Sequence, residues 1–193
     1  MNDKDLGDTS ASLLARIRAL EAELEAELAR KRAGLRYGLE RGRVQFEAEV
    51  LRRHREMRTH VLTYIAHAHP LIVLTAPVIY GLIVPIVLLD LCVTIYQWVC
   101  FPAYGIERVR RGDYLSFDRN HLAYLNIIEK INCAYCSYAN GIFAYVSEVA
   151  GRTEQYRCPI KHAKRLAATH QHYREFAEFG DPDGFHKSYD PKR

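Results

Sequence analysis

Residues 71–104 read LIVLTAPVIYGLIVPIVLLDLCVTIYQWVCFPAY, and this apolar run decides the fold. From Leu71 to Leu89 it contains no charged side chain, a length and polarity typical of a helix that crosses a membrane. The N-terminal segment MNDKDLGDTS is polar and lacks the apolar stretch of a signal peptide. The sequence therefore predicts that this run is a membrane segment of the mature protein.

Basic clusters flank the membrane run: Arg52, Arg53, Arg55 and Arg58 precede it, and Arg108, Arg110 and Arg111 follow it. Because cytoplasmic flanks carry an excess of Lys and Arg, a single crossing would leave one cluster outside. A membrane hairpin with legs 61–80 and 86–104 would keep both clusters in the cytoplasm. Pro77, Gly81 and Pro85 lie where such a hairpin would bend. We expect this hairpin within residues 61–104, with both termini cytoplasmic, and one tilted span is the alternative.

The N-terminal arm, residues 1–60, is rich in the strong helix formers Ala, Leu, Glu and Arg. Its apolar residues recur every eleven positions, a period close to that of a straight helix. The two rows are Leu13, Leu24, Leu35, Phe46 and Met57, and Ile17, Leu28, Leu39, Val50 and Val61. Such a narrow seam favours contact between helices, so we expect a continuous coiled-coil helix that makes the protein a homo-oligomer. An amphipathic helix that packs on the C-terminal domain or on lipid is the alternative.

The balance of charge bears on possible partners. The formal net charge of +4 is small, which argues against a nucleic-acid partner. Residues 30–58 carry ten basic and four acidic side chains, and this basic half of the arm adjoins the membrane run. Contact with anionic lipid headgroups contributes about 1 kcal/mol for each Lys or Arg near the surface. Membrane lipid is therefore the partner that the charge predicts.

Residues 105–179 predict a small cytoplasmic helical domain. A long helix is expected from about 117 to 150, and Gly141 could interrupt it. Pro159 is suited to the first turn of a further helix. The final segment, 180–193, is rich in turn-forming residues and is expected to be a flexible tail.

Four potential metal ligands follow the pattern Cys133-x2-Cys136 and Cys158-x3-His162. Three thiolates and one imidazole form a closed tetrahedral set that is typical of structural zinc. A reducing cytoplasm keeps thiols available for metal and disfavours a disulfide. We expect these four residues to bind one zinc ion, with iron or an iron–sulfur cluster as the alternative metal. Buried free thiols and a redox disulfide are the alternatives to a metal site.

A secondary polar site is predicted on the same long helix. Helical spacing places Asp118, His121 and Glu129 on one line with Cys133 and Cys136. Carboxylates and an imidazole on one line could bind a cation or move protons.

Asp90 is the one acidic residue within the membrane run. Intramembrane acids are rare and usually face other protein or water. We expect Asp90 to accept a hydrogen bond from Tyr80, Thr94 or a neighbouring subunit, or to lie in water near a turn.

Two segments carry a resemblance to known sequences: SFDRNHLAYLNIIEKINCAYCSYANG, residues 116–141, and RTEQYRCPIKHAKR, residues 152–165. Together they resemble a family of uncharacterised bacterial membrane-anchored proteins, over roughly residues 70–166. The resemblance implies a bacterial source, and hence the inner, cytoplasmic membrane. It implies no activity.

These observations predict an all-α protein with a helical arm, a membrane hairpin and a small cytoplasmic domain. One predicted function is that of an oligomeric structural or interaction protein whose C-terminal helices are held by zinc. The alternative is a membrane-associated oxidoreductase or electron carrier, in which the cysteines bind iron or cycle as thiols while His121 and Glu129 move protons. No pattern identifies a catalytic residue, so the sequence leaves open whether the protein is an enzyme.

Overall fold

A computed structural model describes residues 3–33, 37–40, 43–46 and 48–188. The chain forms two compact units. One comprises Met1–Arg58 with His121–Tyr124, and the other comprises Thr59–Asn120 with Leu125–Arg193. The described chain is mainly helical, as the sequence predicts, and it contains one long apolar helix.

The N-terminal arm is not one continuous helix, so that prediction is wrong. It consists of α1 (Asp3–Ala33), a hairpin of β1 (Tyr37–Glu40) and β2 (Arg43–Phe46), and α2 (Ala48–Glu56). The strands pair antiparallel, with Tyr37 opposite Phe46. Gly38, a poor helix former, lies in β1 among aromatic and aliphatic residues that favour strands. The eleven-residue rows are therefore broken after α1, and Leu35 lies outside the described residues.

Apolar side chains of α1 face solvent, among them Leu13, Ile17, Leu20 and Leu24. They recur at steps of four, three and four residues, so they lie on one face of the helix. Leu13, Ile17 and Leu24 belong to the two predicted rows, so α1 contains this part of the predicted seam. Self-association through it stays a prediction.

The apolar run forms two helices that continue one another, after the short α3 (Val61–His67). They are α4 (Pro70–Gly81) and α5 (Ile83–Tyr104). Only Leu82 separates them, and its backbone is nearly helical, with φ −64° and ψ −14°. Pro85 explains the interruption, because it has no N–H to donate to the carbonyl of Gly81. A helical hairpin needs a loop of about two to five residues. Because a single nearly helical residue lies between them, α4 and α5 form one interrupted helix, and the predicted hairpin is not confirmed.

A further long helix, α6, extends from Ile127 to Arg157. It opens with a capping box, in which the Asn126 side chain accepts from the Glu129 N–H at 3.0 Å and the Glu129 carboxylate accepts from the Asn126 N–H at 2.8 Å. The predicted start near residue 117 is therefore wrong. The predicted interruption at Gly141 is also wrong, because the helix continues through that residue.

The helices α5 and α6 lie side by side and run in the same direction. Hydrogen bonds mark the register at three successive levels of α5: Asp90 with Tyr138, Gln97 with Tyr145, and Tyr104 with Arg157. Tyr80, near the end of α4, continues the series with a bond to Asn132. A return segment, residues 105–117, runs back along both helices and makes this parallel pairing possible. Its residues meet α5 in reverse order, with Val109 near Gln97 and Arg111 near Asp90.

The core lies where α5, α6 and the return segment meet. One cluster contains Phe101, Val109, Tyr145 and Val149, and a second contains Ile86, Ala139 and Ile142. The Gln97 side chain accepts from the Val109 N–H at 2.9 Å and donates to the Val109 carbonyl at 3.1 Å. This buried amide supplies both hydrogen bonds that an extended segment without a neighbouring strand would otherwise lack.

The chain after α6 is mostly extended, so the helix predicted to begin at Pro159 is wrong. The Ala177 N–H donates to the Pro159 carbonyl at 2.9 Å, and the Lys161 N–H donates to the Ala177 carbonyl at 2.8 Å. A short 3-10 helix, Gln171–Glu175, lies between these two paired stretches. The predicted flexible tail begins instead with α7 (Pro182–Ser188), and residues 189–193 lie outside the described residues.

Candidate functional site

The four predicted zinc ligands are not brought together. Cys133 and Cys136 lie in the middle of α6, whereas Cys158 caps its C-terminal end and His162 lies beyond it. Twenty-two residues of unbroken helix from Cys136 to Cys158 correspond to about 33 Å, while sulfur ligands of one zinc ion lie within about 4 Å of each other. The described residues contain no group of three or more His, Cys, Asp or Glu side chains placed to hold a metal ion. The predicted four-residue site is therefore wrong. Binding of zinc or iron remains a prediction, and no set of residues is assigned to it.

The secondary polar site does not lie on one helix. Glu129 belongs to α6, where its carboxylate caps the helix start. Asp118 and His121 belong to a separate 3-10 helix, Asp118–His121, so the helical line that the sequence predicted is interrupted. The prediction failed because it extended α6 backward past its capping residue, Asn126.

Asp90 lies on the covered face of α5, with 8% of its surface exposed. Arg111 donates from Nε to Oδ1 at 2.9 Å and from Nη2 to Oδ2 at 2.6 Å. Tyr138 donates to Oδ2 at 2.8 Å, and Thr94 donates to Oδ1 at 3.4 Å. Thr94 is one of the partners that the sequence predicts, whereas Tyr80, another predicted partner, bonds to Asn132. The carboxylate therefore joins α5, the return segment and α6.

The pairing at Asp90 is of a structural kind. A bidentate guanidinium and a phenol satisfy both carboxylate oxygens, and the charge of Arg111 neutralises the acid. The Arg111 side chain is 42% exposed, so water reaches one side of the ion pair. Sequence reasoning missed Arg111 because it counted that residue only as a flanking charge of the membrane run.

A second polar centre surrounds Glu148, which is 5% exposed on α6. Its carboxylate accepts from Arg152 Nε at 2.8 Å and from Gln171 at 2.9 Å, and it lies 2.9 Å from His172 Nε2. Burial by itself raises the pKa of Glu148, but the hydrogen bonds from Arg152 and His172 outweigh it and hold the pKa below its usual range. This centre fastens the 3-10 helix Gln171–Glu175 to α6.

A cleft of about 280 Å³ opens beside this centre. Ser147, Glu154, His162 and Tyr173 line it, together with His170, whose Nε2 lies 2.8 Å from the Glu154 carboxylate. The His162 N–H donates to the Tyr173 hydroxyl at 2.6 Å, which fixes the opposite rim. A carboxylate–imidazole pair can hold or move a proton.

Sequence reasoning missed the Glu148 centre, because Gln171 and His172 meet Glu148 only through the path of the chain after α6. One signal was available. Glu148 is the only charged residue between Ile131 and Gly151, so an acid stands within an otherwise uncharged helical stretch. Such an acid is rarely left buried without a partner.

Comparison with known protein families, characterised proteins and solved structures finds no match to this chain. The resemblance to a bacterial membrane-anchored family stays a prediction. The exposed surfaces and polar centres of the chain are therefore the features that bear on its function.

Proposed function

We propose that this chain is a membrane-anchored interaction protein of the bacterial inner membrane. In this proposal Pro70–Tyr104 is embedded in lipid and holds the domain formed with α6 at the cytoplasmic face. The α1 helix joins copies of the chain into an oligomer. The function is therefore to place and assemble, and the proposal assigns no reaction.

The observation that carries the proposal is the exposed apolar surface of α4 and α5. Pro70–Tyr104 is long and apolar enough to cross a membrane, and only 6% of its most apolar window is buried within the chain. A core helix of comparable composition would be mostly buried. Fully burying one large aliphatic side chain is worth about 1.5–3 kcal/mol, so an exposed surface of many such residues requires an apolar surrounding.

The oligomeric part of the proposal is supported by α1. Its 31 residues correspond to about 46 Å of helix. Leu13, Ile17, Leu20 and Leu24 are exposed on one face of it. A second copy of α1 is the occupant that the narrow, helically spaced seam fits, because two such seams bury each other.

Two pairs of charge substitutions test the anchor and the oligomer separately. Leu74→Arg with Val78→Arg alters exposed residues of α4, and Leu20→Arg with Leu24→Arg alters exposed residues of α1. We expect the first pair to abolish flotation of the full chain with lipid vesicles while chemical cross-linking still captures oligomers. We expect the second pair to preserve flotation and abolish cross-linking.

Each part of the proposal has its own contradicting result. A parent chain that stays at the bottom of the gradient would remove the membrane anchor. A parent chain that floats but yields only monomers after cross-linking would remove the oligomer alone.

The positions of the cysteines and of Glu129 do not support the alternative of an oxidoreductase or electron carrier. Cys158 is separated from Cys133 and Cys136 by more than five turns of α6, and Glu129 is used as a helix cap. That alternative stays a prediction from the sequence.

A further inference from the structure

We infer that Pro70–Tyr104 lies obliquely within one leaflet of the bilayer and does not cross it. The face of α5 that carries α6 and the return segment is turned to water, and the opposite face of α5 is turned to lipid. This inference rests on the proposed membrane anchor, and it specifies the surface that meets the lipid.

The two faces of α5 differ in a way that suits a helix at an interface. Ile86, Asp90, Gln97 and Phe101 are buried against α6 and the return segment. The opposite face exposes Val84, Val87, Leu88, Leu91, Ile95, Trp98 and Val99. Their helical spacing makes a continuous apolar stripe about 22 Å long. The stripe extends past Asp90, beyond the uncharged part of the run.

The length of the helix does not match an upright crossing. Pro70–Tyr104 contains 35 residues, or about 52 Å of helix, whereas the hydrocarbon core is about 30 Å thick. The uncharged stretch from Leu71 to Leu89 alone corresponds to about 28 Å and would fill the core. Ile95, Trp98 and Val99 would then protrude into water with their apolar side chains exposed.

The register between the helices provides a second argument. Tyr80 is the midpoint of the stretch from Leu71 to Leu89, and it bonds to Asn132 of α6. In an upright crossing, Asn132 would lie at the bilayer centre, with Glu129 and Lys130 within about 5 Å of that depth. Charged side chains at the bilayer centre are among the costliest to place, so the neighbouring helix opposes this orientation.

The return segment provides a third argument. Its part from Arg111 to Leu115 lies beside α5 between Asp90 and Ile86, within the depth of the uncharged stretch. Its backbone there is extended or 3-10, and Arg111, Gly112 and Asp113 are exposed. Irregular backbone exposed to lipid does not occur within the hydrocarbon region. Turning this face of the domain to water removes both this conflict and that of the charges on α6.

The single-leaflet position also accounts for the arginines on both flanks of the run. When neither end of Pro70–Tyr104 crosses the membrane, both basic clusters stay on the cytoplasmic side without a hairpin. Trp98 then lies at the interface, where aromatic side chains are enriched in membrane proteins. It is 66% exposed on the lipid-facing stripe.

The single tryptophan of the chain tests the inference without any substitution. The full chain is bound to vesicles of phosphatidylcholine and phosphatidylglycerol whose acyl chains carry bromine at one of several depths. We expect bromine close to the headgroup to remove most of the Trp98 fluorescence, and bromine near the chain ends to remove little. An unquenched Trp98 in chain that floats with the vesicles would overturn the inference and leave the membrane anchor in place.

Two relocated tryptophans in a Trp98→Phe background provide matched controls. Phe143→Trp places the probe on the exposed face of α6, and we expect no quenching at any depth. Val78→Trp places it near the midpoint of the uncharged run, and we expect the strongest quenching from shallow bromines. Strongest quenching of Val78→Trp by the deepest bromines would show an upright crossing and overturn the inference. A parent chain that fails to float at all would instead contradict the proposed membrane anchor.

Discussion

The substitution Gly141→Ala tests how closely the return segment lies against α6. An alanine Cβ at this position would lie 2.7 Å from Leu115 Cδ2, and it would overlap the carbonyl oxygen of Tyr114. That carbonyl belongs to the backbone, so no change of rotamer can relieve the contact. The return segment would have to move away from the helix.

The expected loss of stability is a balance of two effects. Overpacking of a close contact costs about 1–3 kcal/mol. Replacement of Gly by Ala inside a helix restores about 1 kcal/mol. Because the contact is with backbone, the overpacking cost should lie in the upper part of that range, about 2–3 kcal/mol. We therefore expect the free energy of unfolding to fall by about 1–2 kcal/mol, which for a chain of this size lowers Tm by about 2–8 °C.

Thermal unfolding in detergent micelles, followed by circular dichroism, measures this change. Gly81→Ala in α4 is the matched control, because apart from its chain neighbours and the backbone of its own helix no heavy atom lies within 4 Å of its added Cβ. The control should leave Tm unchanged or raise it slightly. Hydrogen exchange in residues 105–117 should accelerate in Gly141→Ala alone. A Gly141→Ala protein as stable as the parent would refute the close packing of the return segment.

Three further outcomes follow from the polar centres and from the second tight glycine. Arg111→Met should lower the free energy of unfolding by about 2 kcal/mol, less than the loss of a fully buried ion pair, because Arg111 is partly exposed. Adding Asp90→Asn should recover part of the lost stability, and equal urea midpoints for the parent and Arg111→Met would contradict this prediction. Because the folded-state pKa of Glu148 lies below its ordinary 4.5, its contribution is complete above that pH and is lost as the pH falls. The deficit of Glu148→Gln relative to the parent should therefore shrink below about pH 4.5, and a deficit independent of pH would count against the ionised carboxylate. Gly151→Ala should destabilise less than Gly141→Ala, because its Cβ would meet the movable side chain of His170, at 2.7 Å from Nδ1; a larger loss of Tm would contradict this ranking.

Local sequence patterns predicted the helices better than their connections. The uncharged run from Leu71 to Leu89 identified the apolar helix, since nothing in that stretch competes with a helix in an apolar environment. The predicted hairpin, which rests on Pro77, Gly81 and Pro85 as the residues of the bend, is not confirmed. Pro85 removes one helical hydrogen bond and leaves Leu82 nearly helical, so it interrupts the helix without turning the chain.

Glycine has two different roles in this chain. Gly141 was expected to interrupt α6, yet it lies within the helix and allows the Tyr114 carbonyl to approach the helix backbone. Gly38, in contrast, does mark a change of structure, from helix to hairpin. Which role a glycine has depends on what packs against it, and a single sequence does not contain that information.

The predicted zinc site failed for a related reason. The spacing of Cys133, Cys136, Cys158 and His162 suggests a site only if the chain reverses between the two pairs. The unbroken course of α6 removes that reversal. The partners of Asp90 and Glu148 depend on contacts between residues more than twenty positions apart, Arg111 and His172, which helical periodicity does not reveal.

The buried amide of Gln97 has a consequence for how the protein can be divided. The same helix that presents Trp98 to its surroundings also supplies Gln97 and Phe101 to the core. If α5 were replaced by another helix of equal hydropathy, the N–H and carbonyl of Val109 would lose their hydrogen bonds to Gln97. The helix α5 is therefore not interchangeable with another apolar helix of the same length. Residues 105–188 separated from α5 would lose Gln97 and Phe101 from their core, so we do not expect them to form a folded fragment on their own.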